Sequence, residues 1–212
     1  MQEDIHTRFE RQRVLDIGIL VFPEVEVLDF AGPFEVFSVA SRIAHSEIGV
    51  KTPFRVAIVG ASGGGVMARH GLGICPHVGF ADAPQFDLLL VAGGVVDQPL
   101  GDPATLDWIR AQDRGAALTA SVCTGAFVLA KVGLLDGLQA TTHWDDVDGL
   151  RAAFPKVEVL HDVAYVDQGR IVTSAGISAG IGMSLHLVAR ILGVGMAKAT
   201  ARRMEYTWEP QR

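Results

Sequence analysis

Apolar positions in this chain gather into short, nearly unbroken runs, with longer stretches of helical spacing between them. Strands buried on both faces of a parallel sheet read this way, because neither face alternates with solvent. "VLDIGILVF" (Val14–Phe22), "FRVAIVG" (Phe54–Gly60), "FDLLLVAGG" (Phe86–Gly94) and "AALTASV" (Ala116–Val122) are four such runs. "LDFAGPFEVFSVASRIA" (Leu28–Ala44) repeats apolar residues at helical intervals and has Asp29 at its entry. A helix is also predicted at "DPATLDWIRAQDRG", with Asp102 as cap, Pro103 in first position and Gly115 as stop. Another follows Cys123, and two more close the chain over Ser178–Leu192 and Met196–Tyr206. Gly63–Val78, punctuated by glycine, predicts a hairpin or strand pair; Ala164–Gly176 predicts a hairpin turning at Gln-Gly, and Val157–Leu160 a short strand.

Strand and helix alternate throughout, which favours a mostly parallel sheet covered on both sides, an α/β class. A chain of 212 residues without repeats or linkers fits one domain, expected over residues 14–212 after a flexible leader at 1–13. That leader, "MQEDIHTRFERQR", lacks the apolar core of a secretory signal. No apolar run is long enough to span a membrane. A formal charge of −6 argues against a nucleic-acid partner, which would want a basic face. Only Cys75 and Cys123 are present, with no CxxC and no zinc-type spacing, so neither a disulfide framework nor a metal site is expected. A soluble, cytoplasmic, reduced protein is the expectation.

Candidate chemistry centres on "TASVCTGAFVLAKVGLL" (Thr119–Leu135), where a buried strand meets Cys123, turns, and continues as a helix. Ligands of open α/β sheets bind outside the carboxyl ends of strands. Unpaired amides and the dipole at a helix start stabilise a thiolate, lowering the thiol from its free value of about 8.5. The residues alone leave two readings open, a packed core cysteine or a nucleophile on an elbow. Cys75, beside Pro76 in the predicted hairpin, reads as packing. The Gly93-Gly94 pair at another strand end is either a turn or a source of amides facing Cys123. An acid or base has candidates in Asp29, Glu24, Glu26 and His143; Asp29, among apolar neighbours, reads equally as a helix N-cap.

"LVFPEVEVLDFAGPFEVF", "LLLVAGG", "SVCTGAFVLAKVGLLDGLQATTHW" and "TSAGISAGIGMSLHLV", in order over nearly the whole chain, resemble the ThiJ/PfpI superfamily. The resemblance implies a flavodoxin-like three-layer sandwich, a homodimer, and a reactive cysteine on a nucleophile elbow, here Cys123. It places Asp29 against the thiol and assigns an anion pocket to Gly93, Gly94 and Thr124, with His143, Ile177 and Ser178 as pocket wall. Cys-Thr rather than Cys-His at the elbow sets the chain apart from the protease-like members, and Asp rather than Glu at position 29 from the chaperone and glyoxalase types, whereas "FPEV…LD…GP", "SVCTG" and "ATTHW" look most like isonitrile hydratase and its relatives. That branch implies attack of a Cys123 thiolate on an isocyanide, proton delivery by Asp29, and release of an N-substituted formamide, without metal or cofactor. The alternatives are a glyoxalase-like lyase, an amidase, or a non-catalytic redox or ligand sensor. The same block forms the sensor domain of certain AraC-type regulators, but the sequence stops at Arg212 without a helix-turn-helix segment, so DNA binding is not expected. The branch usually carries Asp where Gly182 stands here, which touches substrate identity or helix capping near the site.

Overall fold

The computed structural model describes residues 3–47, 49 and 52–210. A seven-stranded sheet runs through its centre in the order β10-β11-β7-β6-β1-β2-β5. The strands are β1 (Leu15–Leu20), β2 (Phe54–Gly60), β5 (Val78–Gly79), β6 (Leu88–Val91), β7 (Leu118–Val122), β10 (Tyr165–Asp167) and β11 (Ile171–Ser174). All pairings are parallel except β10 with β11, which are joined by the expected hairpin. Two small ribbons stand apart, β3 (Val66–Met67) with β4 (Gly73–Ile74) and β8 (Gln139–Ala140) with β9 (Glu158–Val159). The Gly63–Val78 stretch is therefore a hairpin that ends by adding β5 to the sheet edge.

Alternation within the parallel strands divides the core in two. Ile17, Ile19, Leu88 and Leu90 face one layer, built from α1 (Ile5–Gln12), α2 (Val27–Glu47), α7 (Ala179–Leu192) and α8 (Val194–Arg203). Leu20, Leu89 and Val91 face the other, with α3 (Asp97–Gly101), α4 (Pro103–Gly115), α5 (Gly125–Lys131) and α6 (Val147–Ala153). This is the three-layer flavodoxin-like sandwich that the resemblance implies. Gly18, in mid-strand, leaves the space that Phe86 fills: a Cβ there would lie 2.5 Å from the ring. Asp102 caps α4 through the amides of Ala104 and Thr105, as its sequence signature predicts.

Within the leader expected to be flexible, Ile5–Gln12 form α1. Ile5 and Phe9, one helical turn apart, are buried against the α7 layer, and Asp4 caps the helix by accepting from the His6 amide. Eight residues make a marginal helix alone, so this packing holds it. Arg8 also donates to Asp87 and to the Gly115 carbonyl. No helix among the described residues is long and apolar enough to cross a membrane.

Candidate active site

Because β1, β6, β7 and β11 are parallel neighbours, their carboxyl ends open on one edge of the sheet. Four chain segments leave that edge together: the turn into α2 with Asp29, the Gly93-Gly94 pair, the Cys123 corner, and the Gly176–Ser178 turn before α7. An isolated bridge between Val25 and Gly94 fastens the first two segments. The Glu26 amide donates to the Gly93 carbonyl at 2.9 Å.

Cys123 is the hinge between β7 and α5, and its φ of +56° lies in the left-handed region. A non-glycine residue there costs roughly 1–2 kcal/mol and needs outside support. The Cys123 amide donates to the Ser174 and Ala175 carbonyls, and its carbonyl accepts from the Thr142 hydroxyl at 2.9 Å. Ile177 also has positive φ, +53°, an unusual state for a β-branched residue. Both left-handed residues border the same cleft.

Asp29 is wholly buried, and its Oδ2 accepts from the Gly93 amide at 3.1 Å. Oδ1 has no well-formed hydrogen bond. Burial pushes the carboxyl up from 3.8 to about 7; the Gly93 amide opposes this, the Glu26 charge adds to it, and the Cys123 thiol and Ile177 amide oppose it more weakly. Helix α2 begins at Val27, so Asp29 stands inside the first turn instead of capping it. Its buried carboxylate is the group that burial penalises.

The thiol departs from its expected behaviour. Burial, then the Asp29 charge, pushes Cys123 up to about 12, against the amides of Thr124 and Ile177 and the Thr124 hydroxyl. Cys123 is 6% exposed. α5 has only seven residues, and its start does not outweigh desolvation beside a carboxylate. Thiol and carboxyl thus form one coupled pair that holds its protons more tightly than two separate groups would.

In the glycine pair, the Gly93 amide donates to Asp29 Oδ2 at 3.1 Å and the Gly94 amide to Thr124 Oγ1 at 2.8 Å. Their glycine identity has another cause. A Cβ at Gly93 would lie 2.7–2.8 Å from the Thr124 amide and hydroxyl and from Asp29 Oδ2, and Gly94 has φ +136° beside the Glu24 carbonyl. The amides of Thr124 and Ile177 are the donors that act on Cys123.

The cleft above the thiol encloses about 200 Å³ and is lined by Glu26, Arg69, Gly94, Cys123, Thr124, His143, Asp145, Asp146 and Ile177. His143 lines the cleft, accepts from the Asp145 amide and lies 3.5 Å from Asp146. Ser178 is exposed beyond that lining, and Glu24 is exposed outside it. Gly182 lies away from the cleft: a Cβ there would meet only Tyr206 Oη, at 4.0 Å, and its carbonyl accepts from Trp208. Arg69, Asp145 and Asp146 are lining residues that sequence reasoning missed. Arg69 comes from the β3–β4 hairpin and pairs with Glu26 at 3.6 Å. A larger hollow of about 610 Å³, between α2 and α8, is lined by Ile43, Lys198, Arg202, Arg203 and neighbours and holds no nucleophile.

A profile described as the DJ-1/PfpI family matches residues 15–190. The chain is 36% identical over 200 residues to isonitrile hydratase of Pseudomonas putida, covering 92% of this chain and 80% of that protein. It is 32% identical to the HTH-type transcriptional regulator CdhR of Pseudomonas aeruginosa, covering 86% of this chain but 52% of the regulator. The crystal structure of a ThiJ/PfpI family protein from Pseudomonas syringae superposes with a TM-score of 0.80 at 28% identity, covering 94% of this chain and 78% of that one. Drosophila melanogaster DJ-1beta, at 20% identity and a TM-score of 0.77 over 92% of this chain and 99% of its own, shares the fold.

Proposed function

Since the chain belongs to the DJ-1/PfpI family, we propose that it is a cysteine-dependent hydratase converting an isocyanide to an N-substituted formamide. The observation that carries this reading is the pairing of a buried Cys123 thiol with a buried Asp29 carboxyl whose pKa stands near 7. A carboxyl at that value both accepts and returns a proton at neutral pH, the property a general acid–base needs.

The thiol's raised pKa amends the chemistry expected from the sequence. The cysteine enters as a thiol, and Asp29 removes its proton as sulfur bonds to the terminal carbon of the isocyanide. Asp29 then gives that proton to the same carbon, forming a thioimidate, R–N=CH–S. Water adds across the C=N bond, and the S–C bond breaks. The thiol recovers a proton and R–NH–CHO leaves, so the net change is addition of one water. The amides of Thr124 and Ile177 steady the sulfur as charge develops on it. Cytoplasmic location and a homodimer belong to the same reading.

Formamide formation from an aromatic isocyanide tests it in wild type, Cys123→Ala and Asp29→Asn. The expected result is Cys123-dependent product and an Asp29→Asn loss of roughly 10²–10⁴-fold. Lactate from methylglyoxal, or ammonia from an amide, would move the assignment to a lyase or an amidase. A second reading, a ligand-sensing domain, is favoured by similarity to CdhR, of which the chain spans about half. It predicts saturable ligand binding without turnover. A peroxide sensor fits less well, because oxidation needs thiolate character and this thiol is held protonated.

A further inference from the structure

We propose that Glu26 and Arg69 are positioning residues for the proton shared by Asp29 and Cys123. As opposed charges at the mouth of the cleft, they set how readily Asp29 takes that proton and gives it back. This rests on the reading of Cys123 and Asp29 as the reacting pair.

Glu26 is tied directly to the turn that carries Asp29. It stands three positions earlier, and the Asp29 amide donates to its carbonyl at 3.2 Å, so both carboxyls leave one turn at the start of α2. Glu26 lines the cleft with its side chain 24% exposed, whereas Asp29 is wholly buried. A negative charge there disfavours a second one close by, and after burial it is the main cause that lifts the Asp29 carboxyl to about 7.

Arg69 opposes it from a different element. Two backbone bonds stitch the β3–β4 hairpin to the segment before α2: the Glu24 amide donates to the Met67 carbonyl at 2.8 Å, and the Arg69 amide to the Val25 carbonyl at 3.1 Å. The Val25–Gly94 bridge fixes the same segment to the glycine pair. The guanidinium is thereby set 3.6 Å from Glu26, in the only ion pair that either makes among the described residues. A half-exposed pair of this kind adds little to stability. It divides a field instead, Glu26 favouring the protonated Asp29 and Arg69 the carboxylate.

Other groups approach from the neighbouring elements. The amides of Gly93 and Ile177 favour the carboxylate from the end of β6 and the turn before α7, as does the Cys123 thiol from the β7–α5 corner. His143, Asp145 and Asp146 reach the cleft from the segment after β8 and bond among themselves. α7 meets the start of α2 through Ile181 against Gly32, an apolar contact. Farther along α2, Glu35 and Arg42 pair with each other, and the cations of α8 line the hollow at Ile43. Glu26 and Arg69 are thus the charges that both line the cleft and are bonded into the segment leading to Asp29.

Infrared spectroscopy reads the Asp29 proton without turnover, through the carbonyl band that a carboxylic acid shows and a carboxylate lacks. Ordinary carboxyls lose that band below about pH 5. A band that persists to about pH 7 and is missing in Asp29→Asn therefore reports Asp29. In Glu26→Gln its midpoint should fall by about 0.5–1 in pH, the Coulomb scale for a partly exposed charge. In Arg69→Gln it should rise, by less, because the guanidinium is 50% exposed. The double variant should lie between Glu26→Gln and wild type. The acid limb of the formamide–pH profile should move with the band, down in Glu26→Gln and up in Arg69→Gln. Midpoints that stay in place or move the same way in both single variants, with circular dichroism unchanged, would overturn the proposal, as would a wild-type protein without the band. If Glu26→Gln does not fold, Arg69→Gln decides alone: an upward shift supports the proposal, and no shift or a downward one ends it. Opposite shifts without formamide from wild type would remove the hydratase reading and leave this one. Formamide formation with an unmoved band would do the reverse.

Discussion

Two cysteines in one chain occupy opposite situations. Cys75 is exposed, just past the β3–β4 ribbon, where nothing in the backbone singles it out. Cys123 is buried at a left-handed corner, gripped through both its amide and its carbonyl, and set against a buried carboxyl. Accessibility alone would point to Cys75 as the reactive thiol. The site is defined instead by strain that the surroundings maintain and by a second titratable group held where water cannot screen it. A lone thiolate is reactive toward any electrophile; on the proposed reading, a thiol paired with a carboxyl near neutrality acts when a substrate can take the shared proton.

The sharpest way to break this contrast is to delete each sulfur. Cys123→Ala should reduce formamide formation to the background rate, whereas Cys75→Ala should leave it within about twofold, as expected of a surface site. Removing the partner should come next. Asp29→Asn takes away the negative charge that adds to burial in raising the thiol, so the pH midpoint of Cys123 alkylation should fall below that of wild type.

The same variant carries a stability signature. Asp29 has a folded pKa near 7, above its unfolded value of 3.8, so the native state holds the proton more tightly. That contribution is complete below about pH 4 and is lost as pH rises through 7. Denaturant unfolding should show Asp29→Asn gaining on wild type by up to about 4 kcal/mol between pH 4 and pH 8. Parallel pH profiles for the two proteins would refute the buried-carboxyl account. Gly93→Ala sharpens the comparison differently. Its methyl would press on Thr124 and Asp29, so turnover should drop and stability should fall by about 1–3 kcal/mol, with circular dichroism reporting an intact fold. Smallest is Thr142→Val, which removes one bond to the Cys123 carbonyl and should cost about 1 kcal/mol.

Much of the framework was legible. β2 spans Phe54–Gly60 as its apolar run predicts, and α4 follows its Asp102-Pro103 start to Gly115, because doubly buried strands and capped helices write their signals locally. α1 was missed because only Ile5 and Phe9 in a charged stretch mark it, and α6 because its seven residues are too few to show a period. The proximity of Asp29 to Cys123 was legible through family resemblance alone, since the two lie 94 positions apart in the chain. The sign of the thiol shift was misread. A helix start is visible in sequence, whereas the burial that opposes it belongs to the assembled layers. Arg69, Asp145 and Asp146 carried no local signal, because only the folded chain brings the hairpin and the turn after His143 to one cleft.

The notch in β1 has a consequence of another kind. Gly18 and Phe86 share one volume: the absent side chain of the first is the space occupied by the ring of the second. Mutation at either position alone meets a barrier, a clash on one side or a void on the other. In the evolution of the family, the two sites should therefore travel as a pair, with any gain in bulk at position 18 matched by a smaller residue at position 86.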